Sequence, residues 1–235
     1  MKIAGLQKMT LLDFPGKVAC TVFLGGCNFR CPYCHNSELL DGTNIPVMDD
    51  AQLLTFLEKR KGLLDGVCIT GGEPTGHKEL PNLLARIKQL GYAVKLDTNG
   101  YRPEVLKELL DLGVVDYVAM DIKNGPEHYA ATVGLERFDL SRIEESIRIL
   151  TRGKVSYEFR TTVVDELHSE ESIARMGQWL CETAGAKIPK LYLQSFVDRD
   201  TVMFAGLHAP ECEKMAAFLS LLTPFCEAVE IRGRD

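Results

Sequence analysis

The chain has 235 residues, of which 46% are hydrophobic and 26% charged, and its formal net charge is -6. This composition is that of a globular protein long enough to bury a core, and it excludes a fibrous or disordered chain. The acidic balance lacks the basic footprint that phosphate backbones demand, no apolar run approaches the roughly 18 residues of a membrane span, and Met1 to Leu12 has no signal-peptide core, so a cytoplasmic protein with neither a nucleic-acid nor a membrane partner is expected.

Apolar segments rich in β-branched residues alternate with stretches of helical periodicity. In chain order the pattern predicts a strand at 19–24, a helix over 49–61, a strand at 67–70, a helix over 78–90 and a strand at 93–97. A helix over 103–112, a strand at 115–121, a helix over 140–151 and a strand at 156–163 follow. A helix over 169–183, a strand at 190–194, a helix over 209–222 and a last strand at 228–231 complete the series. Asp49 and Asp50 suit a helix cap, Pro103 a first helical position, and Ser169 with Ser172 another cap; Gly62, Gly91, Gly113 and Gly153 sit where helices end.

Regular βα alternation implies a parallel sheet with helices outside it, joined by right-handed crossovers. About six βα units fall short of a complete eight-stranded barrel, which takes ~250 residues. The expected class is therefore α/β, a partial (β/α)6 barrel of the TIM type, with a doubly wound open sheet as the competing architecture. No linker or repeat divides the chain. A single domain over 1–235 is expected, its motifs within 18–165 and a further βα part over 166–235.

Eight cysteines in such a chain read as reduced thiols or metal ligands rather than as a disulfide framework. Cys20, Cys68, Cys181, Cys212 and Cys226 are scattered singly and read as small buried hydrophobes. Cys27, Cys31 and Cys34 instead crowd into one loop, directly after the first strand. Thiolates are the ligands of iron–sulfur clusters, and this spacing lets one loop wrap three corners of a cubane, leaving one iron open to another ligand. A structural zinc site is the alternative. It usually takes ligand pairs from two knuckles, no second pair follows here, and His35 abuts Cys34 too closely for an unstrained tetrahedron.

The spacing Cys27-x3-Cys31-x2-Cys34, with Tyr33 before the last cysteine, resembles the signature of the radical S-adenosylmethionine (SAM) superfamily. The resemblance implies a 4Fe–4S cluster held by three thiolates, with the amino and carboxylate groups of SAM on the fourth iron, and it places Tyr33 and His35 beside the cofactor. Thr70-Gly71-Gly72-Glu73-Pro74, after the next strand, is similar to the superfamily's glycine-rich edge for the methionine part of SAM. Glycines let backbone approach a ligand, and Glu73 can balance an ammonium. By the same resemblance Asp97, Thr98, Asp121, Lys123 and Arg160 line the cofactor, although Asp and Asn at strand ends are also ordinary turn residues, as Asn99 and Gly100 illustrate.

The stretch Gly5-Leu6-Gln7-Lys8 through Leu12-Asp13-Phe14-Pro15-Gly16-Lys17 narrows the resemblance to the activases of anaerobic ribonucleoside-triphosphate reductase. That implies a glycyl-radical enzyme as protein substrate and flavodoxin or ferredoxin as electron donor. The pattern departs from the pyruvate formate-lyase activases at Leu193-Gln194-Ser195-Phe196-Val197, where those have a histidine; Gln194 is the candidate replacement. Two other readings stay open: a radical enzyme acting on a small molecule, of the 7-carboxy-7-deazaguanine synthase kind, and a non-catalytic iron–sulfur or zinc protein.

Overall fold

The computed structural model describes residues 1–43 and 46–233. In chain order the elements are β1 (Lys2–Ile3), β2 (Gly5–Thr10), β3 (Ala19–Leu24), β4 (Met48–Asp49), α1 (Asp50–Glu58), β5 (Gly66–Gly71), α2 (Leu80–Gln89), β6 (Ala93–Thr98) and α3 (Pro103–Asp111). There follow β7 (Tyr117–Asp121), α4 (Tyr129–Thr132), α5 (Leu140–Arg152), β8 (Ser156–Val163), α6 (Glu170–Ala184), β9 (Ile188–Ser195), α7 (Cys212–Leu222) and β10 (Cys226–Arg232).

By internal contacts the chain forms two compact units, one of Met1–Asn28 with Glu38–Ala119, the other of Phe29–Ser37 with Met120 onward. Within the first unit the strands lie in the order β6-β5-β3-β2, and within the second in the order β10-β9-β8.

In the first unit β3 pairs parallel with β5 and β5 with β6, while β2 closes the edge antiparallel to β3. The sequence pattern missed β2. An edge strand with its middle exposed has no buried face to mark it. Val67, Ile69, Val94 and Leu96 are fully buried, as are Leu84 and Ile87 of α2, whereas the alternate side chains of β6, Lys95 and Asp97, point to the other face. α1 starts where its cap dictates. Asp49 accepts from the Gln52 N–H and the Gln52 side chain accepts from Asp49 N–H, a reciprocal capping box.

In the second unit β8, β9 and β10 are all parallel. Phe159, Thr161, Val163, Leu191 and Leu193 are fully buried, together with Ile173, Met176 and Leu180 of α6 and Phe218 and Leu222 of α7. Helices therefore cover one face of these strands. α6 begins on the Ser169–Ser172 box that the sequence signals and ends on Gly185 in the left-handed region, at φ 72°.

Of the isolated cysteines, Cys20, Cys68 and Cys226 are buried as expected, Cys181 is partly exposed, and Cys212 is exposed at the start of α7, contrary to its reading as a core residue. Among the described residues no helix is long and apolar enough to cross a membrane.

Candidate active site

In the first unit the loop leaving β3 carries Cys27. Its backbone is fixed by Gly26 N–H to Leu39 C=O at 2.6 Å and Cys27 N–H to Leu40 C=O at 3.0 Å. The end of β5 lies hard against it, with Glu73 N–H donating to Gly26 C=O at 2.7 Å. That approach needs both glycines: a Cβ on Gly72 would sit 2.1 Å from the Gly26 oxygen, and Gly71 has φ +118° with its Cβ position 2.3 Å from the Leu24 oxygen.

Glu73 is only 2% exposed. One carboxylate oxygen accepts from Thr75 N–H at 3.1 Å, from the Thr75 hydroxyl, and from the Thr98 hydroxyl at 2.7 Å; the other accepts from Asn99 N–H at 2.7 Å. Burial raises this carboxyl above the usual range, and the four donors pull it back. Glu73 thus clasps the end of β5 to the end of β6, a role that its motif gave no sign of.

Asn99 does more than turn the chain. Its Oδ1 accepts from Tyr101 N–H at 3.0 Å, as an Asx-turn does, while Nδ2 reaches Asn28 Oδ1 at 2.9 Å and Cys27 Sγ at 4.0 Å. The neighbouring Asp97 pairs with the buried Lys95 ammonium and lies 3.7 Å from Cys68 Sγ. A pocket of about 240 Å³ opens here, lined by Gly26, Cys27, Asn28, Glu73, His77 and Arg102 among others. His77 holds the Gly25 carbonyl at 2.8 Å. Neither His77 nor Arg102 stood in a motif, so only the fold reveals them.

In the second unit the rest of the loop carries Cys31 and Cys34, joined by Cys34 N–H to Cys31 C=O at 3.1 Å. Tyr33 is 4% exposed and its ring lies 5.9 Å from Lys123 Nζ. At the end of β7 Asp121 accepts from Lys123 Nζ at 3.0 Å and from Arg160 Nη2 at 3.1 Å and Nε at 3.2 Å. Burial alone would raise the Asp121 carboxyl, but these two cations hold it below its ordinary value. Burial likewise opposes the Lys123 ammonium, yet the Asp121 carboxylate keeps its pKa well above the usual lysine range.

His35 stacks on Phe196, with ring centroids 5.4 Å apart and planes at 8°, and its Nε2 meets the Val197 carbonyl at 2.7 Å. Burial lowers its pKa, so the ring is neutral and donates from Nε2. The Phe196–Val197 segment, which has no histidine of its own, receives one from the cysteine loop. His168, read from sequence only as a surface or core residue, is a core one at 2% exposure and bonds the Lys123 carbonyl at 2.9 Å.

The donor set suits a thiolate-held group. Of the three buried side-chain atoms without a partner among the described residues, Asn28 Nδ2 and Tyr33 OH flank the cysteines. Among those residues no three His, Cys, Asp or Glu groups converge on one metal-ion position, whereas the thiolates of a cubane each bind a different iron.

The model of the Radical SAM superfamily matches residues 21–176. The chain belongs to the radical SAM superfamily. Its fold agrees: a solved structure of hexahistidine-tagged anSMEcpe with bound AdoMet aligns with TM-score 0.60 at 19% identity, over 88% of this chain and 61% of that one. The fold class is the partial (β/α) barrel of these enzymes, and the radical SAM enzyme uses a 4Fe–4S cluster and SAM.

Among relatives, a protein of Methanocaldococcus jannaschii whose name assigns it as a glycyl-radical enzyme activating enzyme is 34% identical, over 73% of this chain and 72% of its own length. The pyruvate formate-lyase-activating enzyme of Clostridium pasteurianum is 33% identical over 52% of each chain. A 7-carboxy-7-deazaguanine synthase of Thermococcus kodakarensis is 28% identical, over 63% of this chain and 65% of its own.

Proposed function

We propose that this radical SAM enzyme is a single-domain activase of a glycyl-radical enzyme, the anaerobic ribonucleoside-triphosphate reductase. The observation that carries the reading is the likeness to the Methanocaldococcus protein with an activase name over most of both chains. The N-terminal motif from Gly5 to Lys17 points to the reductase in particular.

In this reading Cys27, Cys31 and Cys34 hold the cluster. Gly71 and Gly72 present backbone to the amino group of SAM, with Glu73 bracing the edge from beneath. Asp97 and Thr98 line the same side. Asp121, held ionised by Lys123 and Arg160, faces the ribose or carboxylate part, and Tyr33 and His35 pack beside the cluster loop. When bound, the cluster and SAM supply one-electron cleavage of a carbon–sulfur bond, giving methionine and a 5′-deoxyadenosyl radical that takes hydrogen from a glycine Cα. Reduced flavodoxin or ferredoxin supplies the electron, in the cytoplasm. What the chain's own residues contribute is binding, aim and exclusion of water.

The test is to mix the anaerobically reconstituted, reduced protein with SAM and the reductase. A glycyl radical signal on the reductase, with 5′-deoxyadenosine formed alongside it, is expected. A second reading, hydrogen abstraction from a small molecule, is favoured by the deazaguanine synthase relative. It predicts 5′-deoxyadenosine that depends on a small substrate, with no radical on any protein.

A further inference from the structure

In the second unit, the face of β8, β9 and β10 turned away from the helices is polar towards the C-terminal ends of the strands, beyond the apolar Ile188, Cys226 and Ala228. The register sets Arg160, Tyr192 and Glu230 side by side on one rung and Thr162, Gln194 and Arg232 on the next. The side chains between them, among them Phe159, Leu191 and Leu193, are fully buried on the helix side. Among the described residues β10 ends the strand order, so this face runs out to a sheet edge.

Arg232 does not extend into solvent. Its Nη1 and Nη2 donate to the two carboxylate oxygens of Glu158 at 2.9 and 3.2 Å, and Glu158 is 1% exposed on its side chain. On the way the guanidinium lies over the Tyr192 ring, 3.1 Å from its centroid. A bidentate pair and a stacked ring fix the plane of a guanidinium; of its five N–H donors two are spent on Glu158 and a further hydrogen bond goes to Tyr192. The side chain stays 34% exposed. It is a rigid, partly open donor group, and rigidity of this kind lowers the cost of binding.

The chemistry of the face argues for what it takes. Two of its pairs are balanced, Arg232 with Glu158 and Lys190 with Glu230, and the one surplus positive charge lies at its margin, where Lys123 and Arg160 share Asp121 on the side assigned to SAM. Away from Asp121 a strongly charged ligand therefore finds little uncompensated charge. Tyr192, its aromatic ring, is 4% exposed and lies under Arg232 with Lys190 Nζ 4.9 Å from its centroid, so it offers no open plane for a nucleobase. Fixed donors among neutral polar groups, beside a sheet edge, suit the alternating amides and carbonyls of an extended peptide.

We infer that this face seats an extended peptide segment of the partner protein, and that Arg232, anchored by Glu158, fixes that segment's main chain through its remaining donors. The inference rests on the activase reading and deepens it by naming where the substrate lies. Arg232 is a specificity-determining binding residue here; Glu158 positions it.

The test uses the reconstituted holoenzyme and the intact reductase, with the glycyl radical quantified by electron paramagnetic resonance against reductase concentration. The double variant Glu158→Ala/Arg232→Ala removes both partners, so no buried charge is stranded, and Arg232→Lys keeps the charge but not the fork. The double variant should raise KM for the reductase about tenfold, the loss of one to two good hydrogen bonds, with kcat changed much less. Arg232→Lys should raise it severalfold. Unchanged KM in both variants, while wild type makes the radical, overturns the peptide seat and leaves the activase reading standing. Wild type that cleaves SAM and leaves the reductase without a radical overturns the activase reading. 5′-Deoxyadenosine formation driven by a nucleoside triphosphate, and sensitive to Arg232, overturns the choice of a peptide.

Discussion

The Glu73 carboxylate accepts the backbone N–H of Asn99 at 2.7 Å, tying the loop after β5 to the loop after β6. Because Asn99 Nδ2 in turn faces Asn28 Oδ1 and Cys27 Sγ, one buried carboxylate holds the amide that sits beside the first thiol. Glu73→Ala would leave the donors of Thr75, Thr98 and Asn99 facing an apolar void. It should cost about 2–4 kcal/mol, roughly one unsatisfied buried group or two. Thermal denaturation of the purified protein measures this. A midpoint within a degree of wild type would show that the clasp is not structural.

Gly72→Ala has no room. The added methyl would fall 2.1 Å from the Gly26 carbonyl oxygen, a backbone atom that moves only if the cysteine loop moves. Overpacking of this kind costs about 1–3 kcal/mol. The expected phenotype is a folded protein with less iron per chain after reconstitution and slower SAM cleavage. Iron analysis and a 5′-deoxyadenosine assay check it.

Asp121 stands between two cations, Lys123 and Arg160. Asp121→Asn leaves those charges facing each other uncompensated. KM for SAM should rise about tenfold, as expected for a lost charge-assisted pair. Iron content should stay near wild type, since no thiolate is touched. Titration of SAM cleavage separates the two outcomes, and loss of iron with unaltered KM would reverse the assignment.

His168 gives a pH signature. Burial lowers its pKa, and the neutral ring donates from Nε2 to Lys123 C=O at 2.9 Å while Nδ1 accepts from Val164 N–H at 3.1 Å. The unfolded chain takes up its proton near the ordinary value of about 6.5, and the folded chain only at lower pH. The stability it contributes is therefore full above that value and is lost as pH falls towards the folded pKa. Denaturant midpoints measured from pH 7.5 downward should fall in wild type and fall less steeply in His168→Gln.

Much of this was legible in the chain. β3 and β8 lie where alternation and β-branched content put them, and the caps at Asp49 and Ser169 are local, so their signals sit within four residues. β2 was silent because its exposed middle lacks a buried face. At the site, the cysteine spacing and the Gly71-Gly72 pair could be read directly. The work of Glu73 could not, because its partners Thr98 and Asn99 lie 25 and 26 residues away. Nor could Arg232 be read: its partner Glu158 is 74 residues distant, and each alone looks like an isolated charge in a strand.

In the proposed activase role this radical SAM enzyme places its radical on a protein glycine. The most direct measurement of that step is electron paramagnetic resonance of the anaerobic reductase after incubation with the reduced, reconstituted protein and SAM. A glycyl doublet that appears with matching 5′-deoxyadenosine, and disappears when the target glycine is replaced by alanine, is the predicted result. Steady formation of 5′-deoxyadenosine with no protein radical would contradict it.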